Sequence, residues 1–136
     1  MDGVIDHLRR PVVRVVMPPP SEGLLCLIDT GYNGFLLLEQ SVALRFQFRM
    51  PNRISDQIVL GDGSIRVAEI ARGRIIWFGS TLIVDAHVVP DARTVRYSPP
   101  EHQIEGMIGT ALLEGLHVFF DFQLHRVTIR QPSSPG

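Results

Sequence analysis

Apolar positions along the chain fall in short runs rich in valine and isoleucine, broken about every eight to twelve residues by Gly, Pro, Asp or Ser. That is the rhythm of an all-β domain. Residues 12–17 predict a first strand, stopped by Pro18, Pro19 and Pro20, whose rings remove ladder donors. Residues 24–28 predict a second strand, and 35–38 a short continuation beyond an Asp-Thr-Gly turn. Over 39–45, helix formers surround Val42, Ala43 and Leu44, so a short helix is expected. Strands at 57–60 and 65–70 flank Gly61, Asp62, Gly63 and Ser64, a hairpin signal because Asp-Gly accepts positive φ readily. Strands are also expected at 74–78 and 82–89, a surface loop over 92–103, and a strand at 104–108. Thr110 predicts the cap of a helical turn over 110–114 that Gly115 ends. Strands at 116–120 and 126–130 form a last hairpin, and residues 12–17 and 126–130 read as sheet edges open to a partner.

Size and composition narrow the class. A chain of 136 residues is one domain, able to bury roughly two-thirds of the surface its unfolded form exposes. The domain is placed at 12–130, between an N-terminal segment, 1–11, and a flexible tail, 131–136. Net charge is −1, and the 13 basic residues are arginines scattered without a basic block, so no nucleic-acid partner is expected. The one cysteine, Cys26, sits between Leu25 and Leu27 and reads as an inert buried thiol. The N-terminus lacks a basic start followed by an apolar core, and no apolar run reaches the ~18 residues that span a bilayer. A cytoplasmic protein without membrane contact is the expectation.

The segment LLCLIDTGYNGF, residues 24–35, sets a carboxylate at the end of a strand that is otherwise apolar. A carboxylate that activates water must face a cleft, yet be held by a rigid element, and the end of a buried strand provides that mount. Gly31 lets the backbone turn sharply beside Asp29, and the Thr30 hydroxyl can bond backbone across the turn. A loose echo follows at Gly106-Met107-Ile108-Gly109-Thr110, again strand, tight glycine turn and helix.

Together, Leu27-Ile28-Asp29-Thr30-Gly31, the hairpin tip at Gly61 to Ser64 and Ile108-Gly109-Thr110-Ala111-Leu112-Leu113 ahead of a closing hairpin resemble a retropepsin-type aspartic protease. The turn Asp29-Thr30-Gly31-Tyr32-Asn33-Gly34 is similar to that of small bacterial single-domain predicted aspartyl proteases. The resemblance implies a closed β-barrel of the acid-protease type with one or two short helices, and an aspartic endopeptidase needing no cofactor or metal. It assigns Asp29 as catalytic, Thr30, Gly31 and Asn33 as support for the catalytic turn, and Thr30 as bonding the neighbouring subunit's turn. It also makes Gly61, Asp62, Gly63 and Ser64 a flap over the substrate, where the bare pattern reads equally as a surface hairpin. The usual alanine after the glycine is Tyr32 here, expected at the cleft edge against substrate.

Such chemistry needs two carboxylates sharing a proton, because like charges ~3 Å apart cannot both ionise. The chain has one Asp-Thr-Gly, and Met107-Ile108-Gly109 cannot supply the partner, so a two-fold homodimer with Asp29 from each subunit is expected on a peptide or protein substrate. The alternative is a catalytically silent protease-like module that dimerises or grips an extended segment. Other candidates read as structural. His117, Asp121 and His125 would ligate a metal only on a helix, which the intervening phenylalanines oppose. His7, His87 and His102, and Asp2, Asp6, Asp56, Asp85, Asp91 and Asp121, read as satisfied or solvated groups, and Trp77 and Phe78 as core.

Overall fold

The computed structural model describes residues 1–19, 23–50, 54–60, 63–90 and 104–133. Pro20, Gly61, Asp62, Asp91, the loop expected over 92–103 with His102, and residues 134–136 of the tail lie outside the described residues.

The described strands are β1 (Asp2–Ile5), β2 (Pro11–Val15), β3 (Leu24–Ile28), β4 (Leu36–Glu39), β5 (Ser55–Val59), β6 (Ile65–Trp77), β7 (Ser80–Val89), β8 (Gly106–Ile108), β9 (His117–Asp121) and β10 (Arg126–Arg130). Two short helices, α1 (Gln40–Arg45) and α2 (Thr110–Leu113), follow β4 and β8. The strands form one sheet in the order β5-β6-β7-β4-β8-β3-β2-β1-β10-β9. No ladder joins β5 to β9 among the described residues, so the closure that the resemblance implies is not made by its end strands. A single bridge between Val16 and Ile76 folds the end of β2 back toward β6.

Alternation along the strands sorts side chains onto two faces. One face packs the main core, with Val13, Val15, Leu24, Cys26, Ile28, Leu36, Leu38, Ile75, Ile108 and Ile129 among its buried members. The other carries a smaller cluster of Tyr32, Leu37, Ile58, Leu60, Ala68, Val89 and Met107. Neighbouring residues of β4 and β8 divide between the two, which is why those strands read as unbroken apolar runs.

Three local expectations are corrected. The segment 1–11 contributes β1, which pairs with β2 and β10, while the N-terminal ammonium donates to the Ile129 carbonyl at 2.9 Å. With β1 in place, β2 and β10 are interior strands, and the sheet edges among the described residues are β5 and β9. The strands expected at 65–70 and 74–78 are one strand, because Gly73 continues the ladder with the Phe48 ring lying where a Cβ would stand. The backbone of Arg72 exchanges bonds of 2.8 and 2.9 Å with Arg49 alongside. A two-residue turn then reverses the chain at Phe78 and Gly79, both at positive φ (50° and 78°), as a tight hairpin between right-twisted strands requires.

Candidate active site

β8 lies between β3 and β4, strands that are consecutive in the chain. It runs parallel to β3, with Ile28 opposite Ile108, and antiparallel to β4, with Leu36 opposite Ile108. The loop 29–35 must therefore cross the end of β8, a span of about 10 Å for two strand spacings. It crosses by bonding to what it meets. The Asp29 amide donates to the Ile108 carbonyl at 2.9 Å, and the Gly109 amide to the Phe35 carbonyl at 3.2 Å. The first amides of α2 would otherwise lack acceptors. Thr110 donates its amide to the Tyr32 carbonyl at 2.8 Å, and Ala111 to the Gly34 carbonyl at 3.2 Å. Helix start and loop thus satisfy one another.

Within this frame Asp29 is half-buried at the open end of β3, and its Oδ1 accepts the Gly31 amide at 2.8 Å. Gly31, Thr30 and Asn33 are exposed, with Gly31 giving the one direct bond among them that fixes the carboxylate. The register that sets Ile28 beside Ile108 brings Gly109 beside Asp29, so the echo strand offers no side chain there. Gly109 has an extended φ of −102°, and its glycine is required by space: a Cβ would overlap the Gly34 carbonyl and lie 2.6 Å from both the ring and the carbonyl of Tyr32. Thr110 does not cap α2, whose N-cap is Gly109; its hydroxyl instead donates to the Tyr32 carbonyl at 3.4 Å.

Tyr32 departs from expectation. Its side chain has no exposed surface (0 %) and lies in the smaller cluster rather than at a cleft edge. Its hydroxyl donates to the Leu36 carbonyl at 2.9 Å and stands 2.6 Å from Nδ1 of His87, whose Nε2 lies 3.3 Å from Oδ2 of Asp56 on β5. Burial, and then the Asp56 carboxylate, push the phenol above its ordinary range, so it stays protonated. Gly34 is buried against this hydroxyl, which a Cβ would strike. The sequence reading took His87 and Asp56 as satisfied or solvated groups and gave Gly34 no role, because nothing in spacing brings positions 32, 56 and 87 together.

The tip of the β5–β6 hairpin closes with the Leu60 amide donating to the Ser64 carbonyl at 3.0 Å and the Gly63 amide to the Leu60 carbonyl at 2.9 Å. Gly63 takes φ +82°, which glycine tolerates at no steric penalty. Val59, Ile65 and Val67 share one face of this hairpin and are exposed. Elsewhere, Cys26 is fully buried, its thiol pushed up by burial and by the Glu105 carboxylate. His117 and Asp121 stand at opposite ends of β9 and His125 in the turn beyond, off any helix.

A crystal structure of a retropepsin-like aspartic protease from Rickettsia conorii superposes with a TM-score of 0.62, covering 96% of this chain and 89% of that one at 12% identity. The fold is retropepsin-like. No protein-family model matches the chain. No curated protein matches it either. At this identity the likeness concerns the fold, and the chemistry has to be argued from the residues themselves.

Proposed function

We propose that the chain is an aspartic endopeptidase that works as a two-fold homodimer, with Asp29 of each subunit forming a water-activating pair. The observation that carries this reading is the mounting of Asp29: a carboxylate aligned by the Gly31 amide, on a loop bonded at several points to β8 and α2. Such fixed placement serves catalysis, whereas a binding groove has no need of a charge so held. Gly109 beside Asp29 leaves the second carboxylate to another copy of the chain. In the pair, the ionised member takes a proton from water as the other donates one to the peptide carbonyl oxygen. The resulting gem-diol then collapses as a proton passes to the leaving amine.

A surface for the second copy is available at β9, where one side of the ladder is unpaired among the described residues and Phe119 and Phe120 are exposed, as are Phe122 and Leu124 in the turn beyond. The β5–β6 hairpin, with Val59, Ile65 and Val67 exposed, serves in this reading as the flap over an extended peptide. The cytoplasm is its working compartment. The silent-module alternative shares this fold; the burial of Tyr32 takes away one argument for it, a crowded cleft edge.

Peptidase turnover of the wild type against Asp29→Asn at mildly acidic to neutral pH tests the proposal, with light scattering on the same samples. A dimer whose activity falls about a thousandfold on substitution is expected. Equal turnover in both proteins, or none in either at a verified dimer concentration, refutes it.

A further inference from the structure

The chain of contacts from Tyr32 through His87 to Asp56 joins the loop that carries Asp29 to the outer strand of the β5–β6 hairpin. Its hydrogens can be counted. The Leu36 carbonyl only accepts, so the phenol donates its one hydrogen there. The 2.6 Å contact then needs a hydrogen on Nδ1 of His87, and the contact with the Asp56 carboxylate needs one on Nε2. All three bonds exist together only when the imidazole carries both hydrogens and a positive charge. A neutral ring must give one up. With its hydrogen on Nε2 it draws the phenol away from Leu36, and with its hydrogen on Nδ1 it loses Asp56. A phenolate would alter the count, but the buried Tyr32 stays protonated.

The remaining groups around His87 follow from the register. On its own strand and face stands Asp85, ion-paired at 3.1 Å with Arg72 of β6. Arg66 of β6 lies diagonal to Asp56 on that face. Glu39 of β4 is two residues beyond Leu37, which pairs with His87. Of the acidic groups among the described residues, Asp56 is the one in hydrogen-bond contact with the ring.

We propose that His87 is a proton-controlled clasp, a positioning residue that when charged holds the hairpin through Asp56 while Tyr32 stays bonded to Leu36, and when neutral gives up either the hairpin contact or the Tyr32–Leu36 bond. Its effect on turnover rests on the protease reading above; the clasp itself does not. At lower pH the hairpin is held against the sheet, and at higher pH it lifts more freely.

Hydrogen exchange of the β5 amides in the full chain, corrected for the intrinsic pH dependence of exchange, reads the clasp without any need for catalysis. In the wild type, protection falls about fivefold as pH rises from ~5 to ~8. Asp56→Asn, at an exposed position where substitution disturbs no packing, flattens that dependence, and His87→Gln does the same. Tyr32→Phe makes it shallower, since a neutral ring can then serve Asp56 without competition. A wild type with no pH dependence, or an Asp56→Asn protein that keeps the wild-type slope, overturns the clasp whether or not the protein cleaves peptides. A slope that behaves as expected in a protein without peptidase activity upholds the clasp and removes the enzyme reading alone.

Discussion

Replacing Tyr32 by phenylalanine removes one oxygen and keeps the ring that fills the smaller cluster. It removes the bonds that this hydroxyl makes with the Leu36 carbonyl and with Nδ1 of His87. An unsatisfied buried polar group costs about 1–3 kcal/mol, and 2 kcal/mol is a fair central figure here because His87 is only half-buried and can recruit water. For 136 residues, an unfolding entropy of about 2.1 cal/mol/K per residue gives about 0.29 kcal/mol/K, so Tm should fall by about 7 °C. Thermal melts by circular dichroism, with urea titrations showing an unchanged m-value, measure this directly. The contrasting possibility has a different signature: a Tyr32 at the cleft edge would make its phenylalanine variant as stable as the wild type and move KM instead. A Tm within about 1 °C of the wild type would therefore refute the buried placement on which both the loop architecture and the clasp depend.

Gly109→Ala should be more damaging than its size suggests, because the added methyl meets a backbone carbonyl and Tyr32, and backbone cannot step aside as a side-chain tip can. A loss of about 3 kcal/mol, read as an equivalent drop in urea stability, is expected; a near-neutral alanine would contradict the packing of β8 against the Asp29 loop. Asp6 closes the turn between β1 and β2, accepting the Leu8 amide at 3.0 Å, the Arg10 amide at 2.9 Å and Nε of Arg10 at 3.0 Å, with Nη2 of Arg10 in ion-pair contact at 2.8 Å. Burial is the largest single influence on this carboxyl and raises it, but the bonds and charge of Arg10 with the Leu8 amide together hold it below its ordinary 3.8. The unfolded chain then binds the proton more readily, so Asp6 stabilises the fold above that ordinary value, and its contribution is lost as pH falls through the depressed one. Urea stability of Asp6→Asn should accordingly be lower than wild type at neutral pH and converge with it in strong acid; an unchanged difference would argue against the linkage.

The strand content was legible along most of the chain because alternation and turn residues are local signals. The segments 24–28 and 126–130 coincide with β3 and β10, and the short helix after β4 differs by one residue at its start. Gly73 misled because a lone glycine between arginines has the look of a break, and only the Phe48 ring above it shows why it belongs inside a strand. β1 was missed for a related reason. Its four residues hold one buried apolar side chain, and its stability comes from pairing with two later strands, β2 close by in sequence and β10 at the far end of the chain.

What the sequence determined by itself is the rigid strand end bearing Asp29 and the glycine that turns beside it, since strand propensity and glycine's freedom act over a few residues. The tertiary structure decided everything that depends on β8 passing between β3 and β4: the bonding of the loop to α2, the bare Gly109 beside Asp29, and the fate of Tyr32. A side chain that points into the loop's own interior finds its partners 4 and 55 residues away, on strands that are neighbours only once the sheet has formed. Burial of a polar atom is settled by what surrounds it in space, and no local pattern records that environment.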